Sequence, residues 1–140
     1  MRYLSIFFMV VFLTGCPTSP VPPDKAKLTP KERLYAYQKP QPNSGKLTVV
    51  RDSGLLGVAC YYAFYISGKR VATMDVGERA DFYIPAGEWM LGYREEGKGV
   101  CSSSRSLTER DIMIKENQHK GVRLYLAPED EGDIKPISIN

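Results

Sequence analysis

The side chains able to act as catalysts are few, and the histidine content limits them most. His119 is the single imidazole in 140 residues, so a metal centre built from nitrogen and sulfur ligands has one histidine to draw on. Serine catalysis needs a base beside the nucleophile, most often a histidine. His119 follows Glu116-Asn117-Gln118, the composition of a solvated turn, and Ser102-Ser103-Ser104 lacks the glycine elbow that presents a nucleophile. A carboxylate pair for glycosidase chemistry would be drawn from Glu95, Glu96, Asp111 or Glu116. Glu95 and Glu96 are adjacent in a stretch containing glycine and lysine, which reads as a solvated rim. No phosphate-binding loop and no dinucleotide fingerprint occurs. The expectation is therefore no enzyme, with no catalytic residue, no metal site and no cofactor. A cell-wall hydrolase using His119 and Glu95 is the competing reading.

Binding chemistry is better represented. The formal charge is +3, with acids and bases interspersed rather than gathered in a stripe, so no nucleic-acid partner is expected. Nine tyrosines, with Phe64, Phe82 and Trp89, supply more ring area than a small body needs inside. Tyr61 and Tyr65 alternate with Tyr62 and Phe64, so the two sets fall on opposite faces of one strand. Either both faces are buried, or Tyr61 and Tyr65 are a partner surface of rigid amphipathic anchors suited to a protein or a glycan.

The elements that must position these residues read as strands. From Lys46 the period is two: Lys46 to Arg51 places Leu47, Val49 and Arg51 on one face, and Cys60 to Ile66 gives the strongest alternation. Ser67-Gly68 predicts a tight turn into Lys69 to Met74. Further strands are expected at Ala80 to Ile84, Glu88 to Tyr93, Ile112 to Ile114 and Val122 to Leu126, with a last one at Ile134 to Ile139 whose Pro136 marks a sheet edge. Arg94 to Ser104 is expected as a loop. The architecture this predicts is all-β, a small antiparallel β-sandwich of about seven strands. Upstream, residues 17 to 45 hold seven prolines and read as an extended tether. Inside it Thr29-Pro30-Lys31-Glu32 has the form of a capping box, predicting a short helix from Pro30 to Gln38.

The N-terminus carries a further pattern. Arg2 precedes an apolar run from Tyr3 to Leu13, too short to span roughly 30 Å of hydrocarbon as a helix. Leu13-Thr14-Gly15-Cys16, followed at once by Pro17-Thr18-Ser19-Pro20, resembles the lipobox of bacterial lipoproteins. In that family the chain is cut before the cysteine, whose sulfur carries a diacylglyceryl group and whose freed amine usually takes a third acyl chain. The resemblance implies lipidation at Cys16 and a membrane contact through the lipid anchor; two or three chains, at about 0.8 kcal/mol per buried CH₂, hold permanently. An ordinary secretory signal with an incidental cysteine is the alternative. Pro17 stands where aspartate would favour the inner membrane, so the outer membrane facing the periplasm is the expected location. With Cys16 lipidated, Cys60 and Cys101 remain as an even pair in an oxidising compartment. A disulfide between them would close a loop of about 40 residues, worth about 4 kcal/mol; two buried free thiols are the other possibility.

The block from Gly45 to Trp89 has a strand Lys46 to Arg51, a long strand ending in Ser67-Gly68-Lys69, a glycine loop, and Ile84-Pro85-Ala86-Gly87-Glu88-Trp89 turning into the next strand. It is similar to PEGA-type modules and related single-domain lipoproteins, departing from them at Ser67 and in the Cys60 and Cys101 pair. The resemblance implies a transthyretin-like sandwich used for display and contact, with no catalytic residue. The expected organisation is a signal peptide at 1–15, a lipidated Pro-rich tether at 16–45 and a sandwich at 46–140. The expected partner is another envelope protein or peptidoglycan, with a structural subunit of a secretion or conjugation assembly as the second reading.

Overall fold

A computed structural model describes residues 18–55, 57–102, 106–127 and 132–139; Cys16, with the signal segment, and Ser103-Ser104 lie outside them. The described residues form β1 (Lys27–Leu28), β2 (Ser44–Arg51), β3 (Tyr61–Ile66), β4 (Lys69–Met74), β5 (Glu78–Pro85), β6 (Gly87–Glu96), β7 (Thr108–Ile114), β8 (His119–Tyr125) and β9 (Asp133–Ile137). One sheet has the order β1-β5-β2-β8-β9 and the other β4-β3-β6-β7, packed as a β-sandwich. The all-β class is as expected, with nine strands where about seven were predicted. The four-stranded sheet is antiparallel throughout. The five-stranded sheet is mixed, because β2 pairs with β8 and β1 with β5 in parallel.

Alternation decides the core. Leu47 and Val49 of β2, Tyr62, Phe64 and Ile66 of β3, Phe82 and Ile84 of β5, and Leu91 and Tyr93 of β6 are buried between the sheets. Each such side chain contributes roughly 1.5–3 kcal/mol on leaving water. Phe64 and Phe82 meet across the sheets at 5.7 Å, and Tyr62 stacks on Tyr93 at 5.0 Å. Gly45 lets β2 approach the turn after β7: a Cβ there would lie 2.5 Å from the Ile114 side chain and the Lys115 carbonyl. Ser67 and Gly68 both have positive φ, 45° and 77°. That pair of angles is the two-residue hairpin geometry suited to strand twist, and Ser67 is held in it as its N–H donates to the Met90 carbonyl at 2.7 Å.

Arg51 shares the face of Leu47 and Val49, as its spacing predicts, and is 1% exposed. Its guanidinium lies 3.6 Å over the Tyr62 ring and donates to the carbonyls of Cys60, Met74 and Gly57 at 2.7, 2.8 and 2.8 Å. Burial pulls the Arg51 guanidinium below its usual range, with nearby Tyr62, Asp75, Glu95 and Glu78 opposing that. The same residue thereby ties the chain between β2 and β3 to the end of β4. Cys60 and Cys101 are joined as a disulfide with Cα atoms 5.4 Å apart, pinning the turn that follows β6 to the start of β3.

The Pro-rich stretch differs most from expectation. It does not stand apart from the sandwich. Ser19 bridges Ser53, Arg79 donates to the Pro23 carbonyl, and β1 pairs with the start of β5. From there the chain runs between the two sheets' edges: the Thr29 N–H donates to the Arg79 carbonyl, Tyr35 to Val71, and Tyr83 back to Tyr37. The helix predicted over Pro30 to Gln38 is only a 3₁₀ turn, Lys31–Arg33, capped by Pro30 with no side-chain hydrogen bond. The Thr29 hydroxyl, expected to cap it, is buried without a partner. A helix this short has little stability of its own, and the backbone bonds to β4 and β5, with Leu34 bridging Ala72, take its place.

Candidate functional site: the outer face of the four-stranded sheet

The partner surface predicted from Tyr61 and Tyr65 lies on the outer face of the four-stranded sheet. Tyr61 is 43% exposed and Tyr65 half-buried, while Tyr62 and Phe64 point into the core. This face of β3 is therefore not wholly buried, with Tyr61 open to solvent and Tyr65 partly covered. Register supplies their neighbours: Tyr61 is opposite Glu96, Ala63 opposite Arg94 and Thr73, and Tyr65 opposite Arg70.

Those neighbours build a ladder of rings and guanidiniums. Arg33 lies 5.4 Å over the Tyr61 ring, Arg94 5.6 Å over Tyr65, and Arg70 5.8 Å over Tyr35. Arg70 also pairs with Glu96 at 2.6 Å and donates to the Thr73 hydroxyl at 2.7 Å, which in turn meets the Tyr35 hydroxyl at 2.9 Å. Arg33 is fixed by two bonds to Glu78, 2.6 and 2.8 Å, and the Glu78 side chain is 3% exposed. The hydrogen bonds that Arg33 donates to Glu78 hold its guanidinium above its usual range. Rings covered by cations, with Tyr35 also held through its hydroxyl, lose little freedom on binding, so they suit a rigid recognition surface. Arg33, Arg70 and Arg94 face Glu78 and Glu96 here, and the outward positions of β7 next along the sheet, Glu109 and Asp111, are acidic, so the face carries charges of both signs.

Spacing alone pointed to Tyr61 and Tyr65 but missed the partners. Arg94 and Glu96 belong to β6, which continues past Tyr93 where a loop was predicted, because charged residues on a wet strand face resemble loop composition. The period-two count carried on from Trp89 would have found them. Tyr35 and Arg33 reach this face only because the N-terminal chain folds onto β4. No local signal shows that.

The residues weighed for catalysis are separated. Glu95 points inward opposite Tyr62 and is buried, with its carboxylate beside Gly57, so it is not part of a solvated rim. His119 opens β8 on the other sheet, where its Nε2 lies 2.8 Å from the Thr48 hydroxyl. That hydroxyl also meets Asp81 Oδ1 at 2.7 Å. A carboxylate only accepts, so Thr48 donates to Asp81 and accepts from His119 Nε2–H. This order leaves His119 no capacity to take the Thr48 proton, and Thr48 is 2% exposed. Burial first, then Lys46, holds the His119 imidazole below its usual range despite Asp81. Among the described residues no group of three histidine, cysteine or carboxylate side chains converges to hold a metal ion. Nor is any helix among them long and apolar enough to cross a membrane.

The fold and this surface define a disulfide-pinned mixed β-sandwich with an arginine–tyrosine face. No family model matches the chain, and no curated protein matches it.

Proposed function

We propose that this chain is a lipid-anchored module of the bacterial envelope, similar in kind to PEGA-type lipoproteins. It is held by Cys16 in the outer membrane, facing the periplasm, and binds peptidoglycan or an envelope protein through the Tyr61 and Tyr65 face without catalysing a reaction. The observation that carries the reading is the ladder of Arg33, Arg70 and Arg94 over Tyr61, Tyr35 and Tyr65. The exposed Tyr61 ring suits a sugar, and Arg94, which meets Glu96 only at 3.5 Å, keeps guanidinium donors for a carboxylate, the two chemistries that peptidoglycan combines.

The packed N-terminal chain changes how such a module would sit. Thr18 donates within 3.3 Å to Asp52 and to the Leu126 carbonyl, and only Pro17 separates it from Cys16. Two residues reach about 7 Å at most, so the body lies close to the bilayer rather than tens of ångströms away on a tether.

Two measurements test this. Cys16→Ala is expected to remove the protein from the outer-membrane fraction; unchanged fractionation would remove the anchor from the reading. Tyr61→Ala with Tyr65→Ala is expected to abolish cosedimentation with purified sacculi, or crosslinking to a defined envelope protein, at an unchanged melting temperature. Retention of both contacts would rule this face out.

A further inference from the structure

β7 and β9 lie beside each other at the edges of the two sheets without forming a ladder; among the described residues β7 pairs with β6 and β9 with β8, so each keeps one edge outside any ladder. Between them lies a groove of about 890 Å³, with Leu91, Ile112, Val122 and Ile134 among its lining and Lys120 at one end. Arg110 and Asp133 bridge its other end with bonds of 2.7 and 3.1 Å, neutralising each other. Lys120 shares the inward-facing register of Leu47, and no carboxylate lies within ion-pair distance of it among the described residues.

We infer that this groove is a binding site for an extended segment of another protein, one that adds a strand to β7, lays alternate apolar side chains onto Ile112, Val122 and Ile134, and places a carboxylate on Lys120. Three observations select that occupant. An unpaired strand edge presents N–H and C=O groups that another backbone satisfies and an acyl chain does not. On β9, Pro136 has no N–H to give, so β7 is the pairing edge and β9 the wall. The unmatched ammonium of Lys120 makes an acidic side chain complementary there; Asp111, also at the groove, belongs to the opposite face of β7, where it is paired with Met90. The protein already uses this mode of contact on its other flank, where the chain on either side of the Lys31–Arg33 turn runs between β4 and β5 and bonds to Val71, Arg79 and Tyr83. The site is separate from the tyrosine face and does not depend on it.

The test uses the full-length protein in detergent and a fluorescent eight-residue peptide of alternating valine and threonine with one central glutamate, followed by anisotropy. Saturable binding is expected, with Lys120→Gln weakening it on the order of tenfold, the loss of about one charge-assisted hydrogen bond. The same variant should leave binding of the glutamine analogue unchanged. Ile112→Thr, with its melting temperature checked, should weaken both peptides. A peptide N-methylated along one edge should not bind. Equal binding of the N-methylated peptide, or displacement by dodecanoate, would overturn the inference in favour of a site for small apolar molecules. Crosslinks between β7 of two copies would overturn it in favour of self-association, and indifference to Lys120→Gln would remove the carboxylate.

Discussion

On the β4/β5 flank the N-terminal chain covers both sheet edges, with Leu34 against Ala72, Tyr35 bonded to Val71 and the half-buried Arg33 paired with the buried Glu78. On the β7/β9 flank the edges face a groove, and the one ion pair across it has Arg110 59% exposed. The two flanks face the same physical problem, since a sandwich has two open sides and each exposes backbone groups and core side chains. One is closed by the protein's own N-terminal chain; the other, among the described residues, is left open. The difference is that stability is invested where the chain is covalently available. An open edge is a liability to aggregation, and its retention on one side only is what marks it as a place for a partner.

The sharpest way to break this comparison is at Arg33. Arg33→Ala strands the Glu78 carboxylate with the Asp75 N–H at 2.7 Å as its remaining hydrogen-bond partner, and removing one partner from a pair of this burial costs about 3 kcal/mol. Urea unfolding should show that loss, and Glu78→Gln in the same chain should recover part of it, because the uncompensated charge is gone. If the single variant unfolds like the wild type, the strap formed by residues 27–37 is not what holds this flank. Leu34→Ala should cost about 1 kcal/mol, since Leu34 is only partly buried against the core. It should also raise hydrogen exchange at Tyr35 and Tyr83, whose amides bond across the strap. On the open flank Ile112→Ala should cost less than about 1 kcal/mol, because the half-buried side chain already borders a void. A larger loss there than at Leu34 would invert the comparison.

How much of this was legible follows from which signals are local. Period-two alternation divides a strand between two faces, so the separation of Tyr62 and Phe64 from Tyr61 and Tyr65, and the place of Arg51 beside Leu47 and Val49, were readable from spacing, while which face of β3 is wet was not. The hairpin at Ser67-Gly68 was readable because a turn is a four-residue event. Parallel pairing of β2 with β8 was not, since Val49 meets Val122 only after the chain between them has folded. The strap was read as a tether for the same reason: proline content shows that a segment is extended, and says nothing of whether Arg33 will find Glu78. The Tyr61 and Tyr65 face was half legible, its rings from β3 alone and its arginines only through register and the strap. The open groove had one local sign, Pro136, and its other wall depends on where β7 lies.

The smallest expected effect separates the flanks by pH. His119 lies at the groove end, with Thr48, Lys46, Asp81 and Arg79 around it. Because burial and Lys46 lower its proton affinity in the folded protein, the unfolded chain binds the proton more readily. The imidazole therefore contributes stability that is present above the ordinary histidine value of about 6.5 and is lost as pH falls through it. Asp52 works in the opposite sense: burial raises its carboxyl against the opposing effect of Arg123 and Thr18, so its contribution is present at low pH and lost as pH rises through the carboxylate range. Comparing wild type with His119→Gln between pH 7.5 and 5.5 isolates the first effect. The wild-type urea midpoint should fall slightly more across that range than the variant's. A variant whose midpoint falls equally would mean that His119 titrates freely and that the open flank stores no proton-linked stability at all.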